Sequence, residues 1–189
     1  MWRKPAPSRG FSPGYGTILK TWRRNSDGAT AVEFALVVGP FLFMLFGIIA
    51  VGLFYFTTFS LENAIEQASR SIRTGQAQQA NMTAAQFKTL VCANVPGFVD
   101  CNGKLRVSVM NFPSSAAINT ATLPSCIAND GSLSAASSFI PGQENAVVLA
   151  WLCYEWDMAK NIPFLNLSNM GNGSRLIQAT TTFRTEPYK

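Results

Sequence analysis

Ser26-Asp27-Gly28-Ala29-Thr30-Ala31-Val32-Glu33-Phe34, with the apolar run behind it, decides how this 189-residue chain is read. From Phe34 to Phe56 there are 23 residues and no formal charge. A helix rises about 1.5 Å per residue, so the run reaches roughly 35 Å, enough to cross a bilayer core of about 30 Å. Glu33 sits at the lip of the run. Deeper in hydrocarbon a carboxylate costs about 2.5–3.5 kcal/mol on insertion scales, so its position needs a reason. One reason is helix initiation. Thr30-x-x-Glu33 fits a capping box, and an acid in the first turn favours the helix dipole.

The charge distribution supplies a direction. Residues 1–28 carry Arg3, Lys4, Arg9, Lys20, Arg23 and Arg24 against Asp27, a net of +5, and the nine basic and nine acidic residues that follow cancel. The pI of about 9.2 therefore belongs to the leader. The neutral remainder has no basic excess to hold a nucleic acid, so no nucleic-acid partner is expected. Positive charge beside a spanning helix marks the cytoplasmic side, which predicts the N-terminus in and the C-terminal part out. The apolar run is longer than the core of a cleaved secretory signal, and Thr57-Thr58-Phe59-Ser60-Leu61-Glu62 behind it offers no small-x-small cleavage site. The helix is expected to be retained.

The chain has no histidine, which removes the usual general base, zinc ligand and pH switch. No metal or cofactor is expected. Cys92, Cys101, Cys126 and Cys153 all follow the apolar run. An even count outside the cytoplasm favours disulfides, with three possible connectivities. Cys92–Cys101 and Cys126–Cys153 are favoured because the first pair flanks a short loop. Free buried thiols are the alternative.

Four segments follow: a basic leader (1–28), a spanning helix (29–59), an amphipathic extension (60–75) and an extracytoplasmic α+β domain (76–189). Pro5, Pro7, Pro13, Gly10, Gly14 and Gly16 keep the leader irregular. Gly39-Pro40 lies inside the helix, where membrane helices tolerate a kink. Leu61, Ile65, Ala68 and Ile72 form a one-sided apolar stripe, Glu66 and Arg70 an i,i+4 pair, and Gly75 a C′ stop. One helix of about 45 residues is the result. Thr83-x-x-Gln86 is a capping box opening a short helix with Phe87, Leu90 and Val91 inward. Asn102-Gly103, between Phe98-Val99 and Leu105–Phe112, reads as a hairpin turn. Residues 113–143 read as a long surface loop pinned by Cys126. Ala146–Trp156 and Arg175–Arg184 are strands.

The Gly28-x4-Glu33 spacing behind Lys20-Thr21-Trp22-Arg23-Arg24 resembles the signal of type IV pilin-like proteins. Gly28-Ala29-Thr30-Ala31-Val32-Glu33-Phe34-Ala35-Leu36 resembles the opening of TadE-like pseudopilins of the tight-adherence pilus systems. Gln178–Pro187, with its Arg184-x-Glu186-Pro187 ending, resembles their closing strand, and Tyr154-Glu155-Trp156 with Ile162-Pro163-Phe164 their middle strand and proline turn. The resemblance implies a pilin-like fold: a long N-terminal helix followed by a small antiparallel-sheet domain with a short helix. It implies cleavage by a prepilin peptidase after Gly28, leaving Ala29 as the new N-terminus and Glu33, the fifth mature residue, for subunit assembly. The implied partners are the bilayer, the peptidase, other pilin-like subunits and the pilus assembly machinery. The implied location is the bacterial inner membrane, single-pass with a periplasmic domain, or an extracellular pilus. The major pilins of this branch are very short and carry Glu-Tyr where this chain has Glu33-Phe34, which points to a minor pilin or assembly factor.

A signal-anchored extracytoplasmic enzyme or binding domain is the competing class. Glu155 and Asp157, two apart on a predicted strand, are the acids that could share a face, and paired acids at that spacing usually form a solvated edge. No catalytic residue is assigned.

Overall fold

The computed structural model describes residues 28–135, 137–162 and 166–188. The basic residues of the leader and the proline turn at Pro163-Phe164-Leu165 lie outside the described residues. The chain divides into two compact units, Met1–Phe46 and Gly47–Lys189.

The described part of the first unit is the opening of helix α1, Ala29–Arg73, a helix of 45 residues with Pro40 inside it. The helix begins at Ala29, so Thr30 is already helical and Glu33 lies past the first turn, which holds no acid. The capping box expected at Thr30–Glu33 is therefore not how α1 starts. The good helix formers Ala29 and Ala31 carry the start two residues further back than a cap at Thr30 would, and Gly28 takes the flanking position.

In the second unit α1 turns one stripe inward. Leu61, Ala64, Ile65, Ala68 and Ile72 are buried, the stripe expected from the sequence with Ala64 added. The helix ends as expected at Gly75, whose N–H donates to Ile72 O at 3.2 Å with φ +77°. A side chain there would be strained by that φ and would overlap the Tyr188 ring. Glu66 does not pair with Arg70. Its Oε1 accepts from Arg73 at 3.2 Å and its Oε2 from Thr181 Oγ1 at 2.5 Å. A partner on the sheet thus replaces the local one.

Helix α2 (Gln76–Gln79) follows Gly75 directly, and α3 (Ala84–Ala93) opens with the expected capping box between Thr83 and Gln86. Phe87 and Val91 are fully buried, but Leu90 is 37% exposed and does not point inward. The hairpin expected at Asn102-Gly103 is absent. Asp100 Oδ1 accepts from the N–H groups of Asn102 and Gly103 at 3.2 and 3.1 Å, which winds Cys101–Lys104 into the helical turn α4.

Strands β1 (Leu105–Phe112), β2 (Val147–Trp156) and β3 (Arg175–Arg184) form one antiparallel sheet in the order β1-β2-β3. Leu105 faces Tyr154 on one side of the central strand, and Trp156 faces Arg175 on the other. The fold is α+β: a long apolar helix followed by a small three-stranded antiparallel sheet with short helices.

Central strand β2 is apolar almost throughout, and a pleat sends alternate residues to opposite faces. Val148, Ala150, Leu152, Tyr154 and Trp156 join the core beneath α1 and α3. Leu149, Trp151 and Cys153 face the other way and gather Phe112 and Cys126, with Ile118 and Leu133 packed against them. Residues 113–133 are thus the cover of a second sheet face, not a free surface loop, and they contain the short helix α5 (Ser115–Thr120). Further on, Val109 N–H donates to Ser138 O at 2.7 Å and Ile140 N–H to Val109 O at 2.9 Å, which occupies the outer edge of β1.

Candidate functional site

Gly28, Ala29 and Glu33 are all exposed. A Cβ placed on Gly28 meets no atom within 4 Å, so nothing in the described fold requires glycine there. From Gly28 to Ile49 every residue is exposed except Val38 and Gly47, which are half-exposed. Phe34, Leu36, Val37, Phe41, Met44 and Ile48 are each at least 60% exposed. An apolar surface this continuous is unstable in water and points to a partner or a membrane. Among the described residues, α1 is the one helix long and apolar enough to cross a membrane.

The chemistry at the open end of this helix is simple. Glu33 stands four residues beyond Ala29, about one turn. The carboxylate and an amine at Ala29, were the chain cut there, would lie close along the same helix. Either could be neutralised by the other or by the same groups of a neighbouring copy.

The four cysteines form two bridges. Cys92 on α3 joins Cys101 at the start of α4, with Cα atoms 5.9 Å apart. Cys126 in the sheet cover joins Cys153 on β2, with Cα atoms 5.8 Å apart.

Glu155 and Asp157 do come together, around a group the sequence reading passed over. The buried Ser174 Oγ lies 2.8 Å from Glu155 Oε1 and 2.8 Å from Asp157 Oδ1. One hydroxyl proton cannot satisfy two carboxylates. The balance comes from Asn172, whose Nδ2 donates to Glu155 at 2.6 Å, and from Lys104 and Lys160, which both pair with Asp157. Burial pushes the Glu155 carboxyl up, but the Ser174 and Asn172 hydrogen bonds and the two ammonium groups outweigh it and hold it below the ordinary value. Every acid here has a cationic or hydrogen-bonding partner, so the cluster ties the loop after the 3₁₀ turn Asp157–Asn161 back to β2. The local signal was the Asn172-Gly173-Ser174 turn. Its contact with Glu155 on β2 and Asp157 on the 3₁₀ turn was not local. Among the described residues no group of three or more acids or cysteines could hold a metal.

The model of one protein family, described as TadE-like protein, matches residues 28–70. The match spans α1 from its first residue to within one turn of its end and leaves the sheet outside it. No curated protein and no solved structure matches the chain. Over residues 28–70 the chain is similar to the TadE-like family, which is associated with the pilus and not with catalysis.

Proposed function

We propose that this chain is a pilin-like minor subunit or assembly factor of a tight-adherence pilus. A prepilin peptidase cuts it between Gly28 and Ala29, and residues 29–59 hold it in the bacterial inner membrane. The leader is cytoplasmic, and residues 76–189 form a periplasmic domain. The observation that carries this reading is the exposed, charge-free surface of α1 directly behind Gly28-x4-Glu33, within the segment that matches the TadE-like family. The basic leader supports the orientation, and the two disulfides fit an oxidising compartment. In assembly, Glu33 of one subunit meets the new N-terminal amine of its neighbour. A carboxylate leaving the headgroup region is costly alone, and pairing it fixes the axial register of adjacent helices.

Intact-mass analysis of protein extracted from membranes of a strain containing the peptidase tests the reading. The expected product lacks residues 1–28. A product that retains Met1 overturns the pilin-like assignment.

A further inference from the structure

Where the apolar surface of α1 ends, the folded unit adds an exposed aromatic ring of its own. Phe98 is 54% exposed and its ring centroid lies 6.0 Å from that of Phe56, which is 53% exposed. Val99 N–H donates to Pro96 O at 3.0 Å, closing a turn with Phe98 in it, and Val99 itself is buried as an anchor. The Cys92–Cys101 bridge brackets the same loop. The loop therefore holds its ring outward by construction. Tyr55 and Phe59 are also exposed and stack at 6.3 Å. Phe54 turns the other way, 5.6 Å from Trp156 and 5.3 Å from the Arg175 guanidinium, so the folded unit already packs on the helix at this level.

The level can be placed against a bilayer. The first charge after the apolar run is Glu62, six residues past Phe56, or about 9 Å along a helix. The uncharged stretch 34–61 has a helical length of about 42 Å, close to the 40–45 Å of a bilayer with its headgroups. Phe56, and Phe98 beside it, then fall near the boundary of hydrocarbon and headgroups, where aromatic side chains are favoured.

We propose that the Pro96–Val99 turn is a second membrane contact, with Phe98 seated in the lipid interface beside Phe56, so that the folded unit rests on the bilayer surface. This rests on the reading of α1 as a membrane helix. The contact is apolar, so it takes zwitterionic lipid as readily as anionic lipid. It also accounts for the disulfide's position, since the bridge stiffens the loop that must hold a ring in lipid.

The test is photo-crosslinking of the full chain in phosphatidylcholine vesicles, with benzoylphenylalanine replacing one residue at a time. Phe98 is the probe. Ile140 is the control: it is 48% exposed and shares a cavity with Ala77 and Gln78, which follow the end of α1 at Arg73, itself about 25 Å along the helix from Phe56. Phe46, within the apolar run, reports on the membrane reading itself. Lipid adducts at 46 and 98, several-fold above those at 140, are expected. Adducts at 46 with none above the control at 98 overturn the proposal and leave the membrane helix standing. Adducts from 98 to another protein chain in place of lipid also overturn it. No lipid adduct at 46 overturns the membrane reading and the proposal with it.

Discussion

The backbone N–H of Glu186 donates to the carbonyl of Arg73 at 2.8 Å, so the end of the chain closes the end of its longest helix. The last carbonyls of a helix lack intrahelical partners, and here the segment just past β3 supplies one. Arg73 also lays its guanidinium 5.4 Å from the Phe183 ring centroid, and Thr185 bonds Gln143 and Ala146. Glu186→Pro removes the donor and is expected to destabilise the folded unit by about 1 kcal/mol. Gly75→Ala should cost more, because it strains a left-handed residue and drives a methyl group into Tyr188. Urea unfolding followed by tryptophan emission ranks the two. Equal stability of the wild type and Gly75→Ala overturns the closure.

The two bridges should fail differently. Cys126→Ser with Cys153→Ser releases the cover of the second sheet face and is expected to expose Trp151, raising binding of an apolar dye. Cys92→Ser with Cys101→Ser loosens only the α3–α4 loop. Each loss is expected to cost about 2–4 kcal/mol. Peptide maps of exported protein, native against reduced, check the bonds first, and four freely alkylated thiols would contradict them.

The Glu155 cluster makes stability depend on acid. A carboxyl held below its ordinary value in the folded state contributes stability above its unfolded pKa of about 4.3, and the contribution is lost as pH falls through the folded value. Melting temperature measured from pH 7 downward should therefore drop below about pH 4.5, and Glu155→Gln should flatten that limb while lowering the plateau. An unchanged acid limb in the variant would show that Glu155 is not the group responsible.

Because nothing crowds Gly28, Gly28→Arg is expected to leave the folded unit's stability unchanged and to block removal of residues 1–28. Anti-tag blots against each end of the chain read the cleavage, and thermal melts read the stability. Normal cleavage of Gly28→Arg would dissociate this position from processing.

Glu33→Gln keeps the shape and removes the charge. On the assembly role it is cleaved and inserted normally, yet fails to crosslink to neighbouring subunits and gives no pili. A purely local role at the helix start costs no more than about 1 kcal/mol and leaves piliation intact. Piliation and crosslinking are scored in one strain, with processing at Gly28 checked in the same sample.

Local physics was legible in the residues. The extent of α1 follows from an uncharged run joined to a one-sided stripe, its end from a glycine that accepts positive φ, and the start of α3 from Thr83 and Gln86 satisfying each other's donors. Each rests on neighbours a few positions apart, so no distant partner is needed. Tertiary structure decided the rest. Asn102-Gly103 carries a turn signal, but Asp100 captures its N–H groups and β1 pairs with β2 some forty residues on, which a local signal cannot foresee. Glu66 had a helical partner within reach in Arg70 and took Arg73 and Thr181, because packing α1 on the sheet brought β3 to it. The stretch 113–133 looked like surface from its small polar residues. It became a cover because β2 is apolar on both faces, and the second face, with Trp151 at its centre, had to be taken out of water by whatever chain lay near.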